Sequence, residues 1–136
     1  MTFMLDSDIC IYLLAGRDAE KRANIMARQP DEQMLLSALV VAELRFGVAK
    51  SQWHKVNEAL LNKFLLDFHV QPFDAAAAAF YGNLRAVLEK KGTPIGPLDN
   101  LIAAHAVSLG ATLVTHNTRE FSRVPGLQRA DWTQPV

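Results

Sequence analysis

The sequence has few of the features that mark several large protein classes. Cys10 is the only cysteine, so no internal disulfide can form and a reducing compartment is expected. Fourteen basic residues balance fourteen acidic ones, which argues against a highly cationic nucleic-acid coat but allows a local basic groove. No apolar run approaches the length of a membrane span, and no signal peptide is recognisable. We therefore expect a cytoplasmic protein with no membrane partner.

Half of the 136 residues are apolar, which is typical of a single globular domain, residues 1–136, with a full core. Short apolar runs at 3–5, 34–36 and 111–115 predict buried strands, and 69–73 predicts an extended segment. Helical patterns over 17–32, 38–50, 53–66, 74–91 and 97–109 lie between or beside them. This alternation predicts an α/β fold with a central parallel sheet flanked by helices on both faces.

Polar side chains follow three of the predicted strands. Asp6 ends the first strand, and Asp8 is interpreted as the N-cap of a helix that Gly16 ends. Ser37 caps the helix that carries Glu43, and Asn117 lies just beyond the last strand. Because the carboxyl ends of parallel strands meet at one edge of a sheet, we expect these side chains to converge there.

Asp99 joins this group from the first turn of a helix that begins at Pro97, after a rigid Gly-Pro turn. Asp99 and Glu43 each also have a plain structural explanation. Acids in a first helical turn, such as Asp99, stabilise the helix dipole, and Glu43 can lie at the edge of an apolar stripe with its carboxylate in water. Three clustered carboxylates would nevertheless repel one another unless a cation neutralised them. Oxygen ligands select a hard ion such as Mg²⁺ or Mn²⁺, which can position a phosphate and polarise a water for attack on phosphorus.

Four motifs in order resemble the VapC-type toxins of the PIN-domain ribonuclease family: Met4–Asp8, Ser37–Gly47, Gly96–Ala106 and Val114–Phe121. The resemblance covers nearly the whole chain and implies a single PIN domain with a three-layer α/β fold. It also implies an Mg²⁺- or Mn²⁺-dependent endoribonuclease that inhibits translation, often by cutting tRNA in the anticodon loop. The partners it implies are a VapB-type antitoxin, which covers the active-site groove in a type II toxin–antitoxin system, and a second copy in a homodimer.

The resemblance assigns the catalytic quartet to Asp6, Glu43, Asp99 and Asn117. Asp6 and Asp99 match the direct metal ligands, and Glu43 matches the acid that helps to orient the attacking water. Asparagine replaces the aspartate that often fills the fourth position, which favours one metal ion over two. Thr115 matches a position that supports the site by hydrogen bonding.

Because the chain has no net charge, RNA contact is expected to use local cations, with Arg85, Lys90, Lys91 and Arg119 as candidates. Two other functions stay open. Asp6-Ser7-Asp8 imitates the nucleophile and acid of haloacid-dehalogenase phosphatases, but the downstream lysine and Gly-Asp motif are absent. A receiver domain fits less well, because no lysine follows the last strand. In the second alternative, a non-catalytic binding module, the acids would hold only structure or partner.

Overall fold

The computed structural model describes residues 1–28 and 34–136. Within them a five-stranded sheet has the order β3-β2-β1-β4-β5, and every neighbouring pair is parallel. The strands are β1 (Phe3–Leu5), β2 (Met34–Ser37), β3 (Phe68–Gln71), β4 (Thr112–Val114) and β5 (Arg129–Ala130). All carboxyl ends therefore lie at one edge of the sheet, as the sequence predicts.

Seven helices accompany the sheet in the described part of the chain. They are α1 (Ser7–Ala15), α2 (Ala19–Met26), α3 (Ala38–Ala49), α4 (His54–Leu65), α5 (Ala75–Lys90), α6 (Pro97–Leu109) and α7 (Thr118–Phe121). Helices α1 to α4 contact one another, while α5 packs closely against α6. None of the helices in residues 1–28 and 34–136 is long and apolar enough to cross a membrane.

The core lies on the central strands, which the sequence predicts correctly as buried. Met4, Leu5, Leu36 and Leu113 are fully buried, and Cys10 lies among them as a buried free thiol. Burial of these apolar side chains is the main force that holds the sheet between its helices. The core thus fixes the backbone from which the polar side chains at the strand ends project.

The start of α1 differs from the prediction. The helix begins at Ser7, and its N-cap is Asp6, whose backbone is extended and whose carboxylate accepts a hydrogen bond from the Ser7 N–H. Asp8 therefore lies in the first turn, where its carboxylate accepts a hydrogen bond from the backbone N–H of His116. Gly16 ends the helix in the left-handed conformation, as predicted.

Two elements near the C-terminus were not predicted. Strand β5 has only two residues and includes a charged arginine, and α7 has a single turn. Such short elements carry no periodic pattern. Helix α2 is also shorter than predicted, because Asp18 caps its start, and the predicted end at Pro30-Asp31 lies outside the described residues.

Candidate functional site

Asp6 lies at the carboxyl end of β1, and only 4% of its surface is exposed. Oδ1 accepts a hydrogen bond from the Ser7 N–H, and Oδ2 accepts one from the Thr115 hydroxyl, both at 2.8 Å. Its backbone N–H binds the Val114 carbonyl across the sheet. These bonds give the Asp6 carboxylate one fixed orientation at the edge of the sheet.

Thr115 connects Asp6 to the loop that follows β4. Its hydroxyl oxygen accepts a hydrogen bond of 3.0 Å from the Asn117 N–H while its proton goes to Asp6. One residue along, the His116 N–H donates to Asp8 at 3.0 Å. The loop after β4 is thus tied to the β1–α1 turn at two successive residues, so Asn117 lies next to the acids of β1 and α1.

Glu43 enters the site from α3. A hydrogen bond with Ser7 lowers the pKa of its carboxyl group, but burial outweighs that bond and raises the pKa above its ordinary value. Oε1 of Glu43 is buried and has no hydrogen-bond partner among residues 1–28 and 34–136. A buried carboxylate oxygen without a partner costs free energy, so this atom is positioned to accept a proton or a ligand.

Asp99 and Asn117 meet on the other side of the site. Asn117 Nδ2 lies 3.5 Å from Asp99 Oδ2 and donates a shorter bond of 3.1 Å to Oε2 of Glu120. Glu120 lies close enough to Asp99 to raise the pKa of Asp99, while the pKa of Glu120 itself is lowered. Below about pH 7 the proton of this pair therefore resides on Asp99.

The charges of these acids act on one another. Burial, followed by the charge of Asp8, raises the pKa of Asp6 to about 6, and Glu43 adds to the rise. Burial and the neighbouring Glu120 raise the pKa of Asp99 to about 7, with smaller contributions from Asp6 and Glu43. Acids from β1, α3 and α6 therefore form one electrostatic cluster, in which each negative charge resists the next.

The cluster fits a hard divalent cation in its chemistry. The donors are oxygens, burial and neighbouring acids raise the pKa values of Asp6 and Asp99, and Oε1 of Glu43 has no partner in the described part of the chain. Across residues 1–28 and 34–136, however, no three Asp, Glu, His or Cys side chains are grouped so as to hold an ion by themselves. Mg²⁺ takes only one or two carboxylates directly and keeps several waters, so the residues present fit a site with few direct protein ligands.

The four predicted RNA-binding cations lie on, or at the end of, two separate helices, α5 and α7. Arg85 lies on the exposed face of α5, where it is paired with Glu89 and Tyr81. Lys90 and Lys91 are exposed at the C-terminal end of α5, and Arg119 is exposed on α7, directly before Glu120. Arg119 is thus the predicted cation nearest to the acids along the chain.

Three residues of the site were not singled out from the sequence as functional. Glu120 raises the pKa of Asp99. Ser7 hydrogen-bonds both Asp6 and Glu43, and Asp8 accepts a hydrogen bond from the His116 N–H. Glu120 lies one helical turn after Asn117, a spacing that puts the two side chains on one face. That spacing is the signal that could have identified it, whereas the hydrogen bond of Asp8 crosses the sheet and has no local signal.

Known proteins resemble this chain along nearly its whole length. The family model described as "PIN domain" matches residues 3–127. The tRNA(fMet)-specific endonuclease VapC of Shigella flexneri is 41% identical over 133 residues, covering 98% of this chain and 99% of that protein. Ribonuclease VapC2 of Rickettsia felis is 39% identical and covers 97% and 98% of the two chains.

Solved structures show the same likeness. The structure of VapBC2 from Rickettsia felis bound to a promoter DNA fragment contains a chain with a TM-score of 0.88 and 38% identity, covering 97% of this chain and 99% of that one. A chain of DNA-bound VapBC from Salmonella typhimurium has a TM-score of 0.87 and 37% identity, with coverage of 97% and 98%. The phosphatase and binding-module alternatives are not favoured by these comparisons. The chain therefore belongs to the VapC-type toxins of the PIN-domain ribonuclease family.

Proposed function

We propose that this protein is a metal-dependent endoribonuclease that cuts tRNA and acts as the toxin of a type II toxin–antitoxin pair. The observation that carries the proposal is the convergence of Asp6, Glu43 and Asp99, from three separate elements, into one cluster in which the pKa of each acid is raised. Holding several acids together is costly, and a cation that binds a phosphate offsets that cost.

In this proposal Asp6 and Asp99 hold Mg²⁺ or Mn²⁺. When bound, the ion supplies positive charge that stabilises the charge developing on the scissile phosphate. Thr115 fixes the orientation of Asp6 through the 2.8 Å hydrogen bond from its hydroxyl. Asn117 contributes a neutral amide that contacts both Asp99 and Glu120. The Glu120 carboxylate raises the pKa of Asp99 and so favours the protonated form of Asp99 when no cation is bound.

Glu43 has a separate role from the metal ligands. Its Oε1 is buried without a partner, so it can accept a hydrogen bond from a water. A general base must lie within hydrogen-bond reach of the proton that it takes and have a pKa near the working pH. Burial raises the pKa of Glu43 in that direction. We therefore assign Glu43 the orientation of the attacking water.

The substrate class follows from the relatives. The Shigella flexneri protein is named for tRNA(fMet), so we propose tRNA as the substrate here, with the anticodon loop as the cleaved region. Arg119, Lys90 and Lys91 are exposed and can contact phosphates, whereas Arg85 would first have to leave Glu89 and Tyr81. Among the predicted cations, Arg119 is therefore the strongest candidate for contact with RNA.

A VapB-type antitoxin is the proposed protein partner, since the matched solved structures are VapBC complexes. A groove of about 720 Å³ lies beside the acids and is lined by residues of α1, α3 and α4, including Ile11, Leu14, Phe46 and Leu60. Ser7 and Glu43 also line this groove, so a chain bound there would cover the site. The homodimer and the cytoplasmic location expected from the sequence stay predictions.

The test is to express the protein briefly and to sequence the new RNA 5′ ends. The ends produced by the native protein are compared with those produced by Asp6→Ala and Asp99→Ala. We expect one dominant cut in a tRNA for the native protein, and neither cleavage nor growth arrest for folded variants. Purified protein should need Mg²⁺ or Mn²⁺ and stop cutting when EDTA is added. Unchanged cleavage by folded variants, or full activity in EDTA, would reject the assignment.

A further inference from the structure

His105 is a buried polar side chain to which the proposed reaction gives no role. It lies in the middle of α6, with 1% of its surface exposed. Its Nδ1 is 2.8 Å from the Ser37 hydroxyl oxygen, and its ring also hydrogen-bonds the Pro72 backbone. The ring of Phe73 packs edge-on against it, at 5.4 Å between centroids and 75°. Both polar ends of the imidazole are therefore engaged.

The partners determine where the protons lie. Proline has no backbone N–H, so the bond to Pro72 must run from a ring N–H to the carbonyl oxygen. Burial lowers the pKa of His105, although Asp74 and the Pro72 bond act the other way, and the neutral ring then carries one proton. With Nε2 protonated toward Pro72, Nδ1 is left to accept the Ser37 hydroxyl proton.

Ser37 extends this chain of hydrogen bonds into α3. Its oxygen accepts a bond of 3.1 Å from the Leu39 N–H and so caps the helix, while its proton goes to His105. The direction is the same throughout, from Leu39 through Ser37 and His105 to Pro72. Each donor meets one acceptor, so the network has one preferred arrangement of protons.

The two side chains at the centre of this network, Ser37 and His105, belong to the helices that carry the acids. Ser37 ends β2 and begins α3, on which Glu43 lies further along. His105 lies on α6, which begins near Asp99. Because a short helix moves as a stiff body, the bond between Ser37 and His105 fixes how α3 and α6 sit relative to each other. The same bond then also fixes the distance between Glu43 on α3 and Asp99 on α6.

We propose that His105 is a positioning residue that locks α6 to the start of α3 through Ser37 and thereby sets the placement of Asp99 relative to Glu43. The inference rests on the proposed function for its consequence, since it concerns the same acids. His105 acts only through Ser37 and the two helices. The competing explanation is a core histidine that contributes to stability alone.

The experiment compares His105→Leu, which keeps the apolar packing but loses both bonds, with His105→Gln, whose amide can accept from Ser37 and donate to Pro72. Ile102→Val is the matched control, because Ile102 is a buried residue of α6 that makes no link to α3 through a polar group. Each variant is assayed for thermal unfolding, for kcat and KM on the cleaved RNA, and for Mn²⁺ affinity.

We expect His105→Leu to lose about 10- to 100-fold in kcat at nearly unchanged KM, because a small misplacement of catalytic groups has that effect. His105→Gln should recover much of the loss, and Ile102→Val should lose stability without losing kcat. The ¹⁵N NMR spectrum should show a neutral His105 ring protonated on Nε2, and Ser37→Ala should shift the Nδ1 signal. If His105→Leu does not fold, Ser37→Ala and His105→Gln are compared with the native protein by the same assays.

A drop in stability with native kcat in His105→Leu, or equal losses for Gln and Leu, would overturn the proposal. Mn²⁺ affinity separates this failure from failure of the proposed function. If the native protein cuts no RNA but His105→Leu weakens Mn²⁺ binding about tenfold while Ile102→Val does not, the nuclease assignment fails and the positioning role stands. If neither variant changes Mn²⁺ binding or kcat, the positioning role is rejected.

Discussion

The two halves of the acidic cluster are held in different ways. On the β1 side, both carboxylate oxygens of Asp6 and both of Asp8 accept hydrogen bonds from the backbone or from a hydroxyl, at 2.7 to 3.0 Å. On the α6–α7 side, Asp99 and Glu120 are bonded to each other and to the Asn117 amide. Backbone and hydroxyl donors therefore orient the acids on the β1 side, whereas on the α6–α7 side the acids interact mainly with each other and with one amide.

This difference indicates which acids are already oriented before a ligand binds and which are expected to change on binding. Backbone N–H groups and the Thr115 hydroxyl orient Asp6 before any ligand arrives, which lowers the cost of ordering it on binding. Glu120 helps Asp99 to keep its proton below about pH 7, which limits the crowding of negative charge there. We therefore expect a divalent ion to compete with that proton and to act mainly on the α6–α7 side.

The largest expected effect comes from removing the fixed acid. Asp6→Asn keeps the size of the side chain and its bond from Ser7, but it removes the charge, so we expect cleavage to fall by about 1000-fold or more. The assay is single-turnover cleavage of the cognate RNA. Asp67→Asn, at an exposed acid after α4, should cut at the native rate. Equal rates for Asp6→Asn and the native protein would remove Asp6 from the mechanism.

The link between the halves is the next most sensitive point. Thr115→Val deletes the hydroxyl that donates to Asp6 and accepts from Asn117, with little change of shape. We expect kcat to fall about 10- to 100-fold, as is usual when a partner of a metal ligand is lost. The measurement is kcat together with Mn²⁺ affinity.

Thr112→Val is the control for this substitution. Thr112 is also buried, on β4 three residues before Thr115, and its hydroxyl donates to Gln128 at 3.4 Å. It should leave kcat unchanged. A comparable loss in both variants would indicate that β4 needs its hydroxyl groups for stability and that Thr115 has no special relation to Asp6.

The sequence predicts the elements that carry the acids better than it predicts the contacts between their side chains. The strand before Asp6, the cap at Ser37 and the start of α6 at Pro97 have local signals in apolar runs, capping residues and proline, and the structure confirms these elements. Glu120 depends on α7, a single turn with no periodic pattern, so its contact with Asp99 had no comparable signal. Contacts such as Asp8 with His116 depend on strand order, which residue spacing alone does not determine.

A smaller effect is expected from Glu120→Gln. The amide can still accept from Asn117, but the charge that raises the pKa of Asp99 is gone. We therefore expect the pKa of Asp99 to fall and the acid limb of the pH–rate profile to move to lower pH, with the plateau rate changed by less than about tenfold. A matched substitution, Glu89→Gln on α5, should leave the profile unchanged. An acid limb that stays in place would mean that Asp99 does not limit the rate at low pH.

The smallest expected effect is on stability: without metal, the free energy of unfolding should depend on pH. This dependence measures directly how strongly the clustered acids repel one another. The pKa of Asp6 is raised on folding from 3.8 to about 6, so the folded protein holds this proton more tightly than the unfolded chain does. The resulting stability is present in full below pH 3.8 and is lost as pH rises to about 6. Asp99 adds a similar loss that continues to about pH 7. Urea unfolding in EDTA should therefore show a decline over this range that Asp6→Asn makes shallower and saturating Mg²⁺ offsets, because an ion that binds only the folded state stabilises it. A decline that persists unchanged in Asp6→Asn would place its origin in groups outside the cluster.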